Sequence, residues 1–129
     1  MARSRALTGA AAAERLRQFA LSMPGAYEDF PWGELVVKVN KKVFVFMGMA
    51  DRSDAGVSLT VKLPESCDQA LSQDYASRTG YGLGKAGWVS LRWEAKAKPP
   101  IDLCTDWIEE SYRAIAPKKL VAELDARAG

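Results

Sequence analysis

Gly82-Leu83-Gly84-Lys85-Ala86-Gly87 has the G-x-G-x-x-G spacing of a loop that cradles a pyrophosphate. That chemistry needs the glycines to leave a strand and open a helix, so that the helix N-terminus meets the phosphates. Here they follow the polar run Ser77-Arg78-Thr79 and enter the strand-like Trp88-Val89-Ser90-Leu91-Arg92-Trp93. A P-loop fails on two positions, Thr79 where glycine is required and Ala86 where Ser or Thr is required. Val89 extends the match to a kinase-type loop, but a kinase also needs H-R-D, and the chain contains no histidine. The glycines therefore read as a tight entry into the strand.

The missing histidine removes more than kinases. Ser-His-Asp and Cys-His mechanisms are excluded, and no side chain titrates near neutrality without help. The two cysteines, Cys67 and Cys104, lie far apart in helix-like segments and read as reduced packing thiols. Structural zinc wants four ligands in paired spacing, which two cysteines without histidine do not supply. Glu28 and Asp29 are adjacent acids with no neighbouring nucleophile or base. The expectation is a protein that is not an enzyme and that uses no cofactor and no metal.

What remains is charge. Between residues 38 and 98, ten cations face six acids, while the segment after Pro100 carries Asp102, Asp106, Glu109 and Glu110. Lys41, Lys42, Lys62, Lys85 and Arg92 are the candidates for phosphate contact, and Trp88 is the candidate for stacking on a base or a partner side chain. A net charge of only +2 keeps an ordinary solvated surface open as the alternative.

These residues must be held by the surrounding elements. Ala10 to Met23 predicts a helix, with Leu16, Phe19, Ala20 and Met23 at i, i+3, i+4 spacing and Pro24-Gly25 as its stop. Tyr27 to Gly33 reads as a connector with a short strand. Leu35–Val39 and Val43–Met49 predict a hairpin turning at Asn40-Lys41-Lys42, since asparagine tolerates left-handed backbone. A polar turn over 51–56 leads to a strand from Val57 to Leu63. Pro64 opens a short helix to about Gln73, and a flexible segment from Ser77 to Gly87 precedes the strand Trp88–Trp93. Pro99-Pro100 starts a helix from Ile101 to about Ala116, its apolar side carrying Cys104, Ile108, Tyr112 and Ile115. Pro117 restarts a last helix through Leu124.

Alternate strand residues point to opposite faces. Val89, Leu91 and Trp93, like Val57, Leu59 and Val61, should face the helices. Trp88, Ser90, Arg92, Ser58, Thr60 and Lys62 should lie on the other face, where Trp88 is either open or covered by a loop or tail. The fold class that follows is α+β, a two-layer sandwich. An antiparallel sheet of four or more strands carries helices on one face, in a single domain over 1–129 with a core of about 10–124. Without an apolar run of about 20 residues no membrane span is expected. The basic N-terminus followed by an alanine-rich, charged helix is unlike a signal peptide, so a cytoplasmic location is expected.

Met23-Pro24-Gly25-Ala26, Lys38-Val39-Asn40-Lys41-Lys42-Val43-Phe44, the glycine-rich turn into Trp88-Val89-Ser90-Leu91, and the helix end Ser111-Tyr112 together resemble the MmcQ/YjbR family. The resemblance spans about Ala10 to Leu124 and implies a frataxin-like order of elements and a DNA-binding protein of the double-wing type. That family commonly carries a histidine just before the strand tryptophan, where this chain has Gly87. Frataxin-like proteins use an exposed sheet tryptophan to bind partners and an acidic first helix to bind iron. Here the first helix carries only Glu14, so iron binding is not expected. The resulting expectation is a DNA-binding protein contacting phosphates through the hairpin and open sheet face, with weak sequence selectivity. A protein-interaction module around Trp88 is the alternative.

Overall fold

Pro24-Gly25, Asn40-Lys41 and Pro64 punctuate the chain where the sequence pattern places its breaks. The computed structural model describes residues 9–49, 56–80, 86–94 and 96–128. The elements are helix α1 (Gly9–Leu21), strands β1 (Tyr27–Asp29), β2 (Glu34–Val39), β3 (Lys42–Met49) and β4 (Val57–Lys62), helix α2 (Cys67–Leu71), strands β5 (Ala76–Arg78) and β6 (Trp88–Trp93), and helices α3 (Ile101–Ile115) and α4 (Lys118–Ala128). A 3-10 turn, Pro31–Gly33, separates β1 from β2.

The six strands form one sheet in the order β1-β2-β3-β4-β6-β5, with every neighbouring pair antiparallel. The fold is α+β with an open antiparallel sheet, as expected. β5 overlaps the start of the segment expected to be flexible, Ser77 to Gly87, and it is an edge strand too short to show a period. Residues 81–85 of that segment and 51–55 of the polar turn lie outside the described residues.

Alternation decides which side of the sheet is buried. In β4, Val57, Leu59 and Val61 are fully buried while Ser58, Thr60 and Lys62 are half-exposed. In β6, Val89, Leu91 and Trp93 join the same core, with Ser90 and Arg92 on the other side. Leu16, Ile108 and Tyr112 close that core from α1 and α3. Each such buried side chain contributes about 1.5–3 kcal/mol relative to exposure. Phe19, expected to be buried, is only partly so and sits at the margin of the core.

β3 breaks the simple alternation twice. Val37 pairs with Val45 but Lys38 with Val43, leaving Phe44 as an extra residue, and Met47 is extra between the pairs Leu35–Gly48 and Val36–Phe46. A bulge of this kind turns two consecutive side chains away from strict alternation. Phe44 and Val45 consequently both enter the core, and Phe44 meets Tyr112 edge-on with centroids 5.2 Å apart.

The Ser-Tyr end of α3 locks this irregular region. The Ser111 hydroxyl accepts the Lys62 N–H at 2.9 Å and donates to the Phe44 carbonyl at 2.6 Å. Lys62 lies one position beyond the Val61–Val45 pair, so the hydroxyl stands where strand-to-strand hydrogen bonding would otherwise continue. Tyr112 reaches past it and donates to the Pro24 carbonyl at 2.7 Å. Glu110, an acid outside the apolar stripe, also has structural work. Its carboxylate accepts the N–H groups of Glu65 and Ser66 and the Ser66 hydroxyl, covering the donors ahead of α2.

Candidate nucleic-acid interface

The hairpin between β2 and β3 turns on two residues, because Val39 pairs directly with Lys42. Asn40 and Lys41 both have positive φ, 51° and 69°, the signature of a type I′ turn whose twist matches the flanking strands. Lys42 is thus the first strand residue and not part of the turn expected from sequence. Asparagine enters left-handed backbone readily, but lysine does so at a cost of about 1–2 kcal/mol. Both Lys41 and Lys42 are exposed, and neither joins an ion pair among the described residues.

Antiparallel register carries a third cation to the same end of the sheet. With Val45 opposite Val61, the last residue of β4, Lys62, lies level with the base of the hairpin, and across from it stands Trp88. Arg92 is exposed but pairs with Ser58 near the other end. Four residues of strand separate it from Trp88, about 13 Å. The structure therefore groups Lys41, Lys42, Lys62 and Trp88 at one end, and Arg92 stands apart. Lys85 lies outside the described residues.

Trp88 occupies the face that parity assigns, away from the helices, yet it is only 8% exposed. Its ring meets Phe46 edge-on at 5.5 Å. β3 and β6 flank β4 and so stand about 9.5 Å apart, which means that the two rings lean toward each other over β4. The open platform that the sequence suggested is a covered one: Trp88 cannot stack on a base unless it leaves Phe46. Beside it, hydroxyls form a short chain, with Thr60 Oγ1 donating to Ser90 Oγ at 3.2 Å and Thr79 and Ser90 sharing a bond of 2.9 Å.

The acids of β1 are engaged and do not form a dyad. Glu28 pairs with Arg17 at 2.8 Å, and Asp29 pairs with Lys38 at 2.8 Å. The Lys38 ammonium and the Phe30 N–H hold the Asp29 carboxyl below its ordinary range, and Lys38 is raised in turn by its bond to Asp29. Lys38 is therefore neutralised locally and adds little to the positive end. Two exposed aromatics, Tyr27 (42%) and Phe30 (49%), flank this strand. The sequence places them in a connector and assigns them no role; two aromatics bracketing the adjacent acids Glu28 and Asp29 are the only signal.

Beside α3 the surface suits an anion poorly. An open groove of about 420 Å³ beside α3 is lined by Pro64, Glu65, Asp106, Glu109, Glu110, Arg113 and Ala114. Arg113 is held there by Glu109 and by Asp125. Cys104 is buried, and burial pushes its thiol up to about 12, far from a reactive thiolate. Cys67 is half-buried, and both thiols are free. Among the described residues, no cluster of three or more His, Cys, Asp or Glu side chains is placed to hold a metal, and no helix is long and apolar enough to cross a membrane.

The family model described as YjbR matches residues 21–114, most of the chain. The chain belongs to the YjbR family. No curated protein matches it. Within this YjbR domain the residues that carried the resemblance are largely structural. Pro24 accepts Tyr112, Ser111 bridges β3 and β4, and Asn40-Lys41 makes the hairpin turn. Gly87 has φ 93°, a conformation that side chains other than glycine's rarely adopt. Its carbonyl accepts the Leu63 N–H at 2.8 Å, so the glycine also fixes the start of β6 against the end of β4. The matched region contains the hairpin and the tryptophan strand but ends before α4.

Proposed function

We propose that this YjbR family member binds DNA without chemistry, through phosphate contacts made by the β2–β3 hairpin and the adjoining end of the sheet. The observation that carries this reading is Lys41, an exposed lysine in left-handed backbone at a hairpin tip. Glycine would relieve the conformational cost there, and a cation needed for contact is a reason to retain the lysine. Lys42 and Lys62 stand at the same end, while the acidic groove lies beside α3 in the helix layer. Lys and Arg contacts to phosphate position a protein on a duplex without reading its sequence, so weak selectivity is the expected behaviour. Arg92 would act as a separate contact further along the face.

The test is a fluorescence-anisotropy titration of a short duplex at several salt concentrations. Log affinity should fall linearly with log salt, with a slope of roughly 0.9 per phosphate neutralised. Lys41→Ala with Lys42→Ala should weaken binding to all sequences alike and flatten the slope by up to ~2 units. Lys41→Gly separates structure from function: it should raise stability by about 1 kcal/mol in urea unfolding, because glycine takes positive φ without strain, yet weaken binding. A variant that is stabilised but binds as well as the parent would remove Lys41 from the interface.

A second reading has its own observation. Tyr27 and Phe30 are exposed aromatics on and beside an edge strand, and aromatics of this kind anchor protein interfaces. On this reading a protein partner meets the β1 edge, in place of the covered Trp88. Loss of a partner on Tyr27→Ser and Phe30→Ser, with indifference to the lysine substitutions and no duplex binding at low salt, would favour it.

A further inference from the structure

We propose that Lys118 and Lys119, at the start of α4, form with Lys41 and Lys42 a two-element basic clamp that takes a DNA duplex. This inference rests on the phosphate-binding reading of the hairpin and adds a contact outside the region that the family model matches. Gly25 shows how close the two elements come. A Cβ built there would meet Leu120 Cδ1 at 3.1 Å and Val39 Cγ2 at 3.8 Å, so α4's first turn and the residue preceding the hairpin turn close over the same glycine. Lys119 immediately precedes Leu120, and Lys41 follows Val39 by two residues. Both lysine pairs therefore lie within a few residues of this one contact, and the duplex groove whose borders they would contact is about 12 Å wide on its major side.

α4 is positioned by its other residues. Leu120, Val121 and Leu124 pack against the core, Arg127 Nη1 donates to the Ser22 carbonyl at 2.6 Å, and Asp125 pairs with Arg113 at 2.8 Å. These contacts divide the helix's cations into two kinds. Arg127 is turned to the protein, whereas Lys118 and Lys119 are exposed and join no ion pair among the described residues. Glu123 stands four residues from Lys119 without closing one, and the first turn of α4 holds no acid. The lysines of the hairpin and of α4 thus reach toward solvent from two separate elements at one end of the molecule, an arrangement suited to the two phosphate backbones that border a groove.

The experiment compares the salt dependence of binding to a short duplex for the unaltered chain, for Lys118→Ala with Lys119→Ala, and for Lys41→Ala with Lys42→Ala. Unfolding midpoints are measured in parallel. The α4 pair is exposed, so its replacement should leave the unfolding midpoint essentially unchanged, as for surface substitutions generally. The expected result is a slope flattened by about 2 units for either pair, since each removes about two contacts at roughly 0.9 apiece. An unchanged slope for the α4 variant, with the hairpin variant still flattened, overturns the clamp and leaves hairpin binding standing. No binding by the unaltered chain at low salt overturns both.

Discussion

Replacing Ser111 by alanine should cost this fold about 3 kcal/mol. Its hydroxyl is fully buried and serves two backbone groups, accepting from Lys62 N–H and donating to Phe44 C=O. Alanine removes both bonds while leaving the two groups where they are, and a buried polar group without a partner costs about 1–3 kcal/mol. The strands have one way to recover, which is to close until Lys62 N–H reaches Phe44 C=O directly. That would pull Phe44 from its edge contact with Tyr112 and so undo part of the bulge. Urea unfolding should therefore show a large fall in midpoint with little change in slope, and thermal unfolding a fall of roughly 10 °C. Ser111→Thr keeps a hydroxyl and serves as a control for its hydrogen bonds, with an added methyl in a filled site. A loss under 1 kcal/mol for alanine would mean that the strands do close and that Ser111 does not hold β3 and β4 at this spacing.

Trp88→Ala should be similarly damaging, by about 3 kcal/mol, the lower end of the range for burying and then deleting a large aromatic. The ring is 8% exposed and packs edge-on against Phe46, on the side of the sheet away from the core that α1 and α3 close. Alanine would open a void over β4 and expose Phe46, whereas Trp88→Phe should recover much of the loss. Under conditions where the alanine variant remains folded, phosphate binding should keep the parent's salt slope, because the ring contributes no charge. A Trp88→Ala protein with parental stability but without DNA binding would reverse this account. It would place the ring against the ligand and mean that Phe46 releases it on binding.

These two residues show where reading the chain succeeds and where it stops. The alternation in Val57–Lys62 and Trp88–Trp93 identifies both strands and assigns each side chain to its face, since a strand's period is a local property of the backbone. The prolines at 99 and 100 and the stripe from Cys104 to Tyr112 locate α3 to within a residue. Asn40-Lys41 marks its hairpin, and the absence of histidine narrows the chemistry without any structure.

Parity states a side but not what lies over it. The covering of Trp88 depends on Phe46, a residue two strands away whose facing follows from how β2 and β3 pair around two bulges. Those bulges leave no local trace, since Val43 to Met47 reads as an unbroken apolar run. Ser111 and Tyr112 find their partners 49, 67 and 88 residues away, so nothing near them in the chain distinguishes their hydroxyls from solvated ones. The grouping of Lys41, Lys42 and Lys62, and the separation of Arg92, follow from strand register in the same way. Local periodicity is a property of adjacent residues and can be read along the chain. Register, bulge position and the approach of α4 to Gly25 are settled by which distant surfaces fill one another's space, and that packing exists only once the chain has folded.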